Sequence, residues 1–232
     1  VAGMANRVLA GVADRVFTAF PNVFKQAQWV GNPLRAAFLQ QPEPAARFAA
    51  RSGPLRLLVV GGSLGAKALN DVVPQALALL PKVQQPQVTH QSGEKQIDAL
   101  RANYIAAGIQ AELTPFIDDT AQAFAEADLI VCRSGASTVT EIAAVGAAAL
   151  FVPFPSAVDD HQTTNARFLV DAQAAWLVPQ TELTPQRLAQ TLQTVQREQL
   201  LAMATRAKAL QKTEAVAAVV SACEQLAKVQ PS

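Results

Sequence analysis

The sequence predicts an α/β protein built on a doubly wound parallel sheet. Three observations carry this. Between residues 55 and 178, short apolar runs alternate with longer segments of helical period. The runs at 55–60 and 129–132 are almost continuously apolar, as expected of strands covered on both faces. Small polar or glycine-rich clusters follow the runs directly, and helical segments follow the clusters, which is the order of a βαβ unit.

The elements follow in chain order. Residues 7–13 read as helical, 15–20 alternate like a strand ended by Pro21-Asn22, and 28–30 form a second extended piece stopped by Gly31-Asn32-Pro33. Residues 40–54 contain Pro42, Pro44, Gly53 and Pro54 and read as a linker with at most a short helix. After the strand at 55–60, Leu69, Val72, Val73, Ala76, Leu77 and Leu80 keep helical spacing, and Pro74 among them predicts a kink or local break. A strand at 87–90, a turn at 91–93 and a helix from 94 to about 107 come next, with Gly108 as C-cap. A short strand at 111–113 leads through Pro115-Phe116-Ile117 to a helix opened by Asp118-Asp119-Thr120. After the run at 129–132, a helix ends at Gly146. A strand at 149–152 follows, and Asp159-Asp160-His161-Gln162 open a helix to about 171. A last strand covers 175–178, Leu183-Thr184-Pro185 start a helix with proline in its first turn, and two Ala- and Leu-rich helices fill 196–228.

Bulk properties exclude several classes of function. The 232 residues carry a net charge of +1 with no block of like charge, which argues against a nucleic-acid surface. Aromatic residues are only 6%, too few for a base-stacking platform. Cys132 and Cys223 show no pairing pattern, so a reducing compartment is the simpler reading. No C-x-x-C or histidine cluster suggests a metal, no run reaches the roughly 20 apolar residues of a membrane span, and no signal peptide is visible. The first residues, starting at Val1, read as the middle of a protein, so a fragment or isolated domain is expected.

Residues 131–141 are the most informative stretch. The end of an apolar strand runs into Ser134-Gly135-Ala136-Ser137, which has little side-chain bulk, and then into Thr138 and Glu141, which fit a T-x-x-E capping box. A helix starting there offers free amides and a dipole to a phosphate; equally, it is a well-capped helix after a tight turn. Gly61-Gly62-Ser63-Leu64-Gly65-Ala66 is neither G-x-x-x-x-G-K-[ST] nor G-x-G-x-x-G. Either a simpler phosphate-binding turn using Ser63 and backbone amides or a turn for close helix–strand packing fits it. Arg35 clamps an anion or is a solvated surface arginine. All the polar clusters (61–66, 90–93, 116–119, 134–141 and 155–162) fall at the carboxyl ends of predicted strands, where ligands bind in such sheets.

Taken in register, several pieces closely resemble the MurG family of peptidoglycan N-acetylglucosaminyltransferases. They are Gly31-Asn32-Pro33-Leu34-Arg35, Gly61-Gly62-Ser63-Leu64-Gly65-Ala66, His90-Gln91-Ser92-Gly93, Phe116-Ile117-Asp118-Asp119, Arg133-Ser134-Gly135-Ala136, Glu141-Ile142-Ala143-Ala144 and Asp160-His161-Gln162-Thr163-Thr164-Asn165-Ala166. The resemblance implies a Rossmann-like sheet forming the C-terminal, donor-binding half of a GT-B fold. It divides the chain into the tail of an N-terminal acceptor domain (1–30), an interdomain linker (31–54), the UDP-GlcNAc-binding domain (55–195) and C-terminal helices (196–232). It implies inverting, metal-independent transfer of N-acetylglucosamine from UDP-GlcNAc to lipid I, giving lipid II, at the cytoplasmic face of the bacterial inner membrane. No cofactor and no nucleic acid are implied.

Carried over by motif, Glu141 resembles the carboxylate that binds the ribose hydroxyls, and Ile117 the residue whose backbone reads the uracil edge. Ser63, Ser137 and Thr138 resemble the diphosphate contacts, within the loops of Gly62, Gly65, Gly135 and Ala136. Arg35 matches an arginine that approaches the diphosphate on closure. Gln162 and, more weakly, His161 match the donor-sugar segment. His90 reads as support for the turn at Gly93. The acceptor site and the general base belong to the family's N-terminal domain, so no base is assigned here, and the final helices are expected to expose apolar faces that pack on that domain. The alternatives are another GT-B UDP-sugar transferase such as a glycolipid synthase, a nucleotide-sugar epimerase, or a non-catalytic UDP-sugar binding module.

Overall fold

The computed structural model describes residues 3–155 and 160–229. The elements in order are α1 (Met4–Ala10), β1 (Phe17–Thr18), β2 (Gln28–Trp29), α2 (Ala36–Leu39), α3 (Pro44–Ala49), β3 (Arg56–Val60), α4 (Lys67–Ala78), β4 (Gln87–Gln91), α5 (Ile97–Ala107), β5 (Glu112–Thr114), α6 (Thr120–Glu126), β6 (Leu129–Cys132), α7 (Ala136–Val145), β7 (Ala149–Phe151), α8 (His161–Val170), β8 (Ala175–Leu177), α9 (Pro185–Thr194), α10 (Arg197–Ala209) and α11 (Ala215–Val229).

Six strands form one parallel sheet in the order β5-β4-β3-β6-β7-β8. The chain winds outward from β3 to β5, returns to the middle at β6, and winds the other way to β8. The switch point therefore lies between β3 and β6, where Val60 pairs with Cys132. The continuous apolar runs are explained by two cores. Leu57, Val59, Leu129 and Val131 face one core with α4 and α9, and Leu58, Ile130 and Cys132 face the other with α6 and α7.

Pro74 does not break α4, which runs through it. The carbonyl that proline leaves without an amide, Asn70 O, instead accepts from Asn103 Nδ2 at 3.0 Å. Residues 31–54 hold two short helices and are firmly packed: Phe38 and Phe48 are buried. The expectation for the final helices is corrected for α10. It buries Leu200, Met203, Ala204 and Ala207 against α7 and α3 of this same chain, because its apolar stripe matches the groove those helices form. Only α11 leaves Val216, Val219, Val220 and Leu226 exposed. The small parallel pair β1–β2 docks through Phe20 and Trp29, whose rings meet Phe168 of α8 edge-on.

Candidate functional site

Three structures converge on the carboxyl ends of the strands at the switch point. The first is the start of α7. The capping-box expectation is corrected: α7 begins at Ala136, with Gly135 as N-cap and no side-chain cap. Thr138 is already in helical conformation in the first turn, so its hydroxyl cannot cap, and Glu141 lies a turn further in. The amides of Ala136, Ser137 and Thr138 thus have neither an intrahelical acceptor nor a side-chain cap. By contrast α6, α8 and α9 are capped by Asp119, Asp160 and Thr184. An uncapped helix start at a ligand rim presents donors and a positive dipole end to an anion.

The second is the loop 61–66. Gly62 and Gly65 have φ of +82° and +76°, and a Cβ on Gly65 would sit 2.1 Å from Ser92 O, so only glycine fits. Ser63 is exposed at the loop's tip, and α4 also starts without a side-chain cap. Beneath the loop runs a buried polar chain. Tyr104 OH meets His90 Nδ1 at 3.0 Å, His90 Nε2 meets Asn70 Oδ1 at 3.1 Å, Asn70 Nδ2 donates to Gln96 Oε1 at 2.8 Å, and Gln96 Nε2 donates to Leu64 O at 2.9 Å. With Asn70 Oδ1 as acceptor, His90 carries its proton on Nε2 and accepts from Tyr104 on Nδ1. Burial pushes the His90 pKa down to about 3, which keeps the ring neutral and the chain intact. His90 therefore supports the loop that holds Ser63.

The third is a pocket of about 120 Å³ lined by Val60, Gly62, Ser63, Gln91, Phe116, Ile117 and Thr120. The turn on its far wall is shaped by Thr114, whose hydroxyl donates to Phe116 O at 2.6 Å. A larger groove of about 820 Å³ crosses β4 and β5 beside α6 and shares Phe116 and Ile117. Unlike that groove, the small pocket is walled by Gly62 and Ser63 of the loop after β3, at the switch-point end of the sheet.

Glu141 lies one turn into α7 and is half-buried. Burial raises its carboxyl pKa above the usual range, and the nearby Arg35 charge opposes that shift. Arg35 is exposed at the N-cap of α2, its guanidinium 5.1 Å from the Phe38 ring centre. The segment carrying it is tied to α7 by Asn32 Nδ2, which donates to Thr140 Oγ1 at 3.1 Å.

Gln162 and His161 open α8 beside the same rim; Ser156 to Asp159 of the 155–162 cluster lie outside the described residues. Gln162 Oε1 accepts from Ser134 N at 3.3 Å and Phe154 N at 2.9 Å, while Asn165 Nδ2 donates to Ser134 O at 3.2 Å. The Gln162 oxygen is therefore committed to holding the Ser134 and Phe154 amides. Ser63, Ile117, Ser137, Thr138, Glu141 and Gln162 all lie on this one rim. Arg133, by contrast, is structural: it donates to Val152 O, Pro153 O and Gln180 Oε1. Gln91, Asn70 and Asn165 were not singled out from sequence. Gln91 and Asn165 lie inside quoted motifs, but nothing in a linear pattern shows where their amides point. Among the described residues no group of three or more His, Cys, Asp or Glu could hold a metal ion.

The model of the glycosyltransferase family 28 C-terminal domain matches residues 56–220. A protein of Polaromonas sp. named UDP-N-acetylglucosamine--N-acetylmuramyl-(pentapeptide) pyrophosphoryl-undecaprenol N-acetylglucosamine transferase is 72% identical over 228 residues, 98% of this chain and 59% of its own length. A protein of the same name from Paracidovorax citrulli is 71% identical, over 97% of this chain and 64% of its own length. The crystal structure of Acinetobacter baumannii MurG superposes with a TM-score of 0.87 at 42% identity, covering 97% of this chain and 64% of that one. The chain thus spans less than two thirds of the relatives it matches, and its sheet and flanking helices have the architecture of the C-terminal half of a GT-B glycosyltransferase.

Proposed function

Because this chain belongs to the glycosyltransferase family 28 C-terminal domain family, we infer that its rim binds UDP-N-acetylglucosamine as the donor half of an N-acetylglucosaminyltransferase. The observation that carries this is the uncapped start of α7 facing the 61–66 loop across the switch point, with a half-buried Glu141 one turn away. The uracil enters the small pocket and meets the backbone of Ile117. The ribose hydroxyls donate to the Glu141 carboxylate. The diphosphate sits against the amides at the start of α7 and the hydroxyls of Ser63, Ser137 and Thr138. The NH2 of Gln162, with His161 beside it, faces the sugar.

The chemistry this arrangement serves is departure of UDP. As the glycosidic bond breaks, negative charge grows on the diphosphate. Fixed amides, a helix dipole and hydroxyls stabilise that charge without reorganising, and Arg35 adds a positive charge at the same rim. By analogy with the named relatives, the acceptor is lipid I and the product lipid II. The acceptor site and the general base are assigned to the part of the relatives that this chain does not span. The work is placed at the cytoplasmic face of the inner membrane, as a peripheral protein; among the described residues no helix is long and apolar enough to cross a membrane.

Calorimetric titration of the chain with UDP-GlcNAc, UDP, UDP-glucose and ADP tests this. Saturable binding of UDP and UDP-GlcNAc but not ADP, lost in Glu141→Ala, is expected. A folded chain that binds ADP as well as UDP contradicts it. Transfer is expected to be slight for this chain alone and to be restored by adding the remaining domain; no change on that addition favours a non-catalytic binding module.

A further inference from the structure

The loop after β3 and the turn after β5 form opposite walls of the small pocket, and one side chain joins them. Gln91, at the end of β4, is only 4% exposed. Its Oε1 accepts from Gly62 N at 3.0 Å, and its Nε2 donates to Gly62 O at 3.1 Å and to Pro115 O at 2.8 Å. One planar amide thus grips both sides of the Gly62 residue, at a φ of +82°, and reaches the residue before Phe116 and Ile117. No other side chain among the described residues makes hydrogen bonds to both walls.

We propose that Gln91 is a specificity-determining positioning residue that sets the separation of the pocket walls and so selects a single-ring base over a purine. This rests on reading the rim as a nucleoside-diphosphate-sugar site. The physical reason is direct. The pocket between the walls is small, about 120 Å³, so a two-ring base calls for walls further apart than a one-ring base does. Parting them breaks at least one Gln91 bond and leaves part of the Gln91 amide, itself buried, without a partner, which is costly in a way that accepting a smaller base is not. Gln91 acts through Gly62 and Pro115, so its effect is on choice of base.

Two variants test this, with the melting temperature recorded for each. Gln91→Asn is one methylene too short to span both walls. Gln91→Glu keeps the length and the acceptor for Gly62 N but loses both donors, and it serves if the shorter variant does not fold. Dissociation constants for UDP and ADP are measured by calorimetry, with displacement of UDP for weak binders. In both variants UDP binding is expected to weaken about tenfold or more, and the preference for UDP over ADP to shrink by about fivefold or more. A parallel loss for both nucleotides, with the preference unchanged, overturns the proposal and makes Gln91 a structural residue only. Wild-type preference in Gln91→Glu overturns it too. Failure of the wild-type chain to bind UDP overturns the reading of the rim, and the base-selection proposal with it.

Discussion

At the amino ends of the sheet strands, basic side chains close helix ends and surround one carboxylate; at the carboxyl ends, α4, α5 and α7 begin with no side-chain cap. Arg47 of α3 donates to Ala125 O at the end of α6 and to Val145 O at the end of α7. Lys208 of α10 donates to Ala144 O. Asp128, fully buried, receives Arg51 at 2.7 Å, Arg197 at 3.0 Å and the Arg56 amide at 2.8 Å. Burial pulls the Arg47 pKa down to about 10, and burial also lowers that of Arg51, opposed by Asp128. These cations complement helix C-termini that otherwise have unpaired carbonyls. The same helix α7 is thus closed at one end and open at the other. The closed end fastens α3 and α10 to the sheet, while the open end is the one to which the proposed donor site assigns the diphosphate.

Four measurements test that contrast. The largest effect is expected from Asp128→Ala. Removing the anion leaves the buried Arg51 side chain and the half-buried Arg197 without their carboxylate, which costs roughly 3–5 kcal/mol. Urea unfolding should show this loss, while UDP affinity per folded molecule stays at the wild-type value. A stability within about 1 kcal/mol of wild type would break the assignment of the closed end as the fastening. Next comes Glu141→Ala at the open end, expected to weaken UDP binding by about 1.5–3 kcal/mol with little loss of stability. Because burial raises the Glu141 pKa, the folded state itself favours the protonated acid. Its contribution to stability is present at low pH and lost as pH rises through that raised value. UDP binding runs the opposite way and weakens as pH falls through it.

His90 connects the two behaviours, since it is a buried group that serves the open end. Its folded pKa is depressed to about 3 from the usual 6.5. Its contribution to stability is therefore present above pH 6.5 and lost as pH falls toward 3, at about 1.4 kcal/mol per pH unit. His90→Gln should remove that slope from a pH series of urea melts; an unchanged slope assigns it to other groups. The smallest effect on stability is expected from Gly135→Ser. A Cβ there meets only Thr138 Oγ1 at 3.8 Å, so the serine fits and can cap α7. Stability should rise by a few tenths of a kcal/mol while UDP binding weakens, because the new hydroxyl competes for the same amides. Unchanged UDP binding in a capped variant would remove the start of α7 from the site.

Much of the fold is legible in the chain because its signals are local. The continuous apolar strands, the clusters after them, Thr184-Pro185 at the start of α9 and the left-handed glycines at 108 and 146 all act within a few residues of themselves. The capping box failed for an instructive reason. Thr138 and Glu141 have the right spacing, but the extended Gly135 lets the helix begin earlier, and the pattern does not say which turn comes first. The break that Pro74 suggested does not occur, and Asn103, 29 residues away, supplies a donor for the carbonyl the proline leaves free. Gln91 and Asn70 were passed over because an amide's role depends on which carbonyls and amides the fold brings to it.

Local signals along the chain suffice for a parallel α/β sheet, the set of loops at its carboxyl ends and the residue types available there, because hydrophobic period and turn chemistry are properties of sequence neighbours. Only the packed fold settles that α7 stays uncapped, that Asp128 gathers Arg51 and Arg197, that α10 folds back onto α3 and α7, and that Gln91 joins Gly62 to Pro115. Each depends on groups far apart in sequence meeting at hydrogen-bond distance in a buried setting, where an unpaired polar atom is costly and the choice of partner is made by the packed fold.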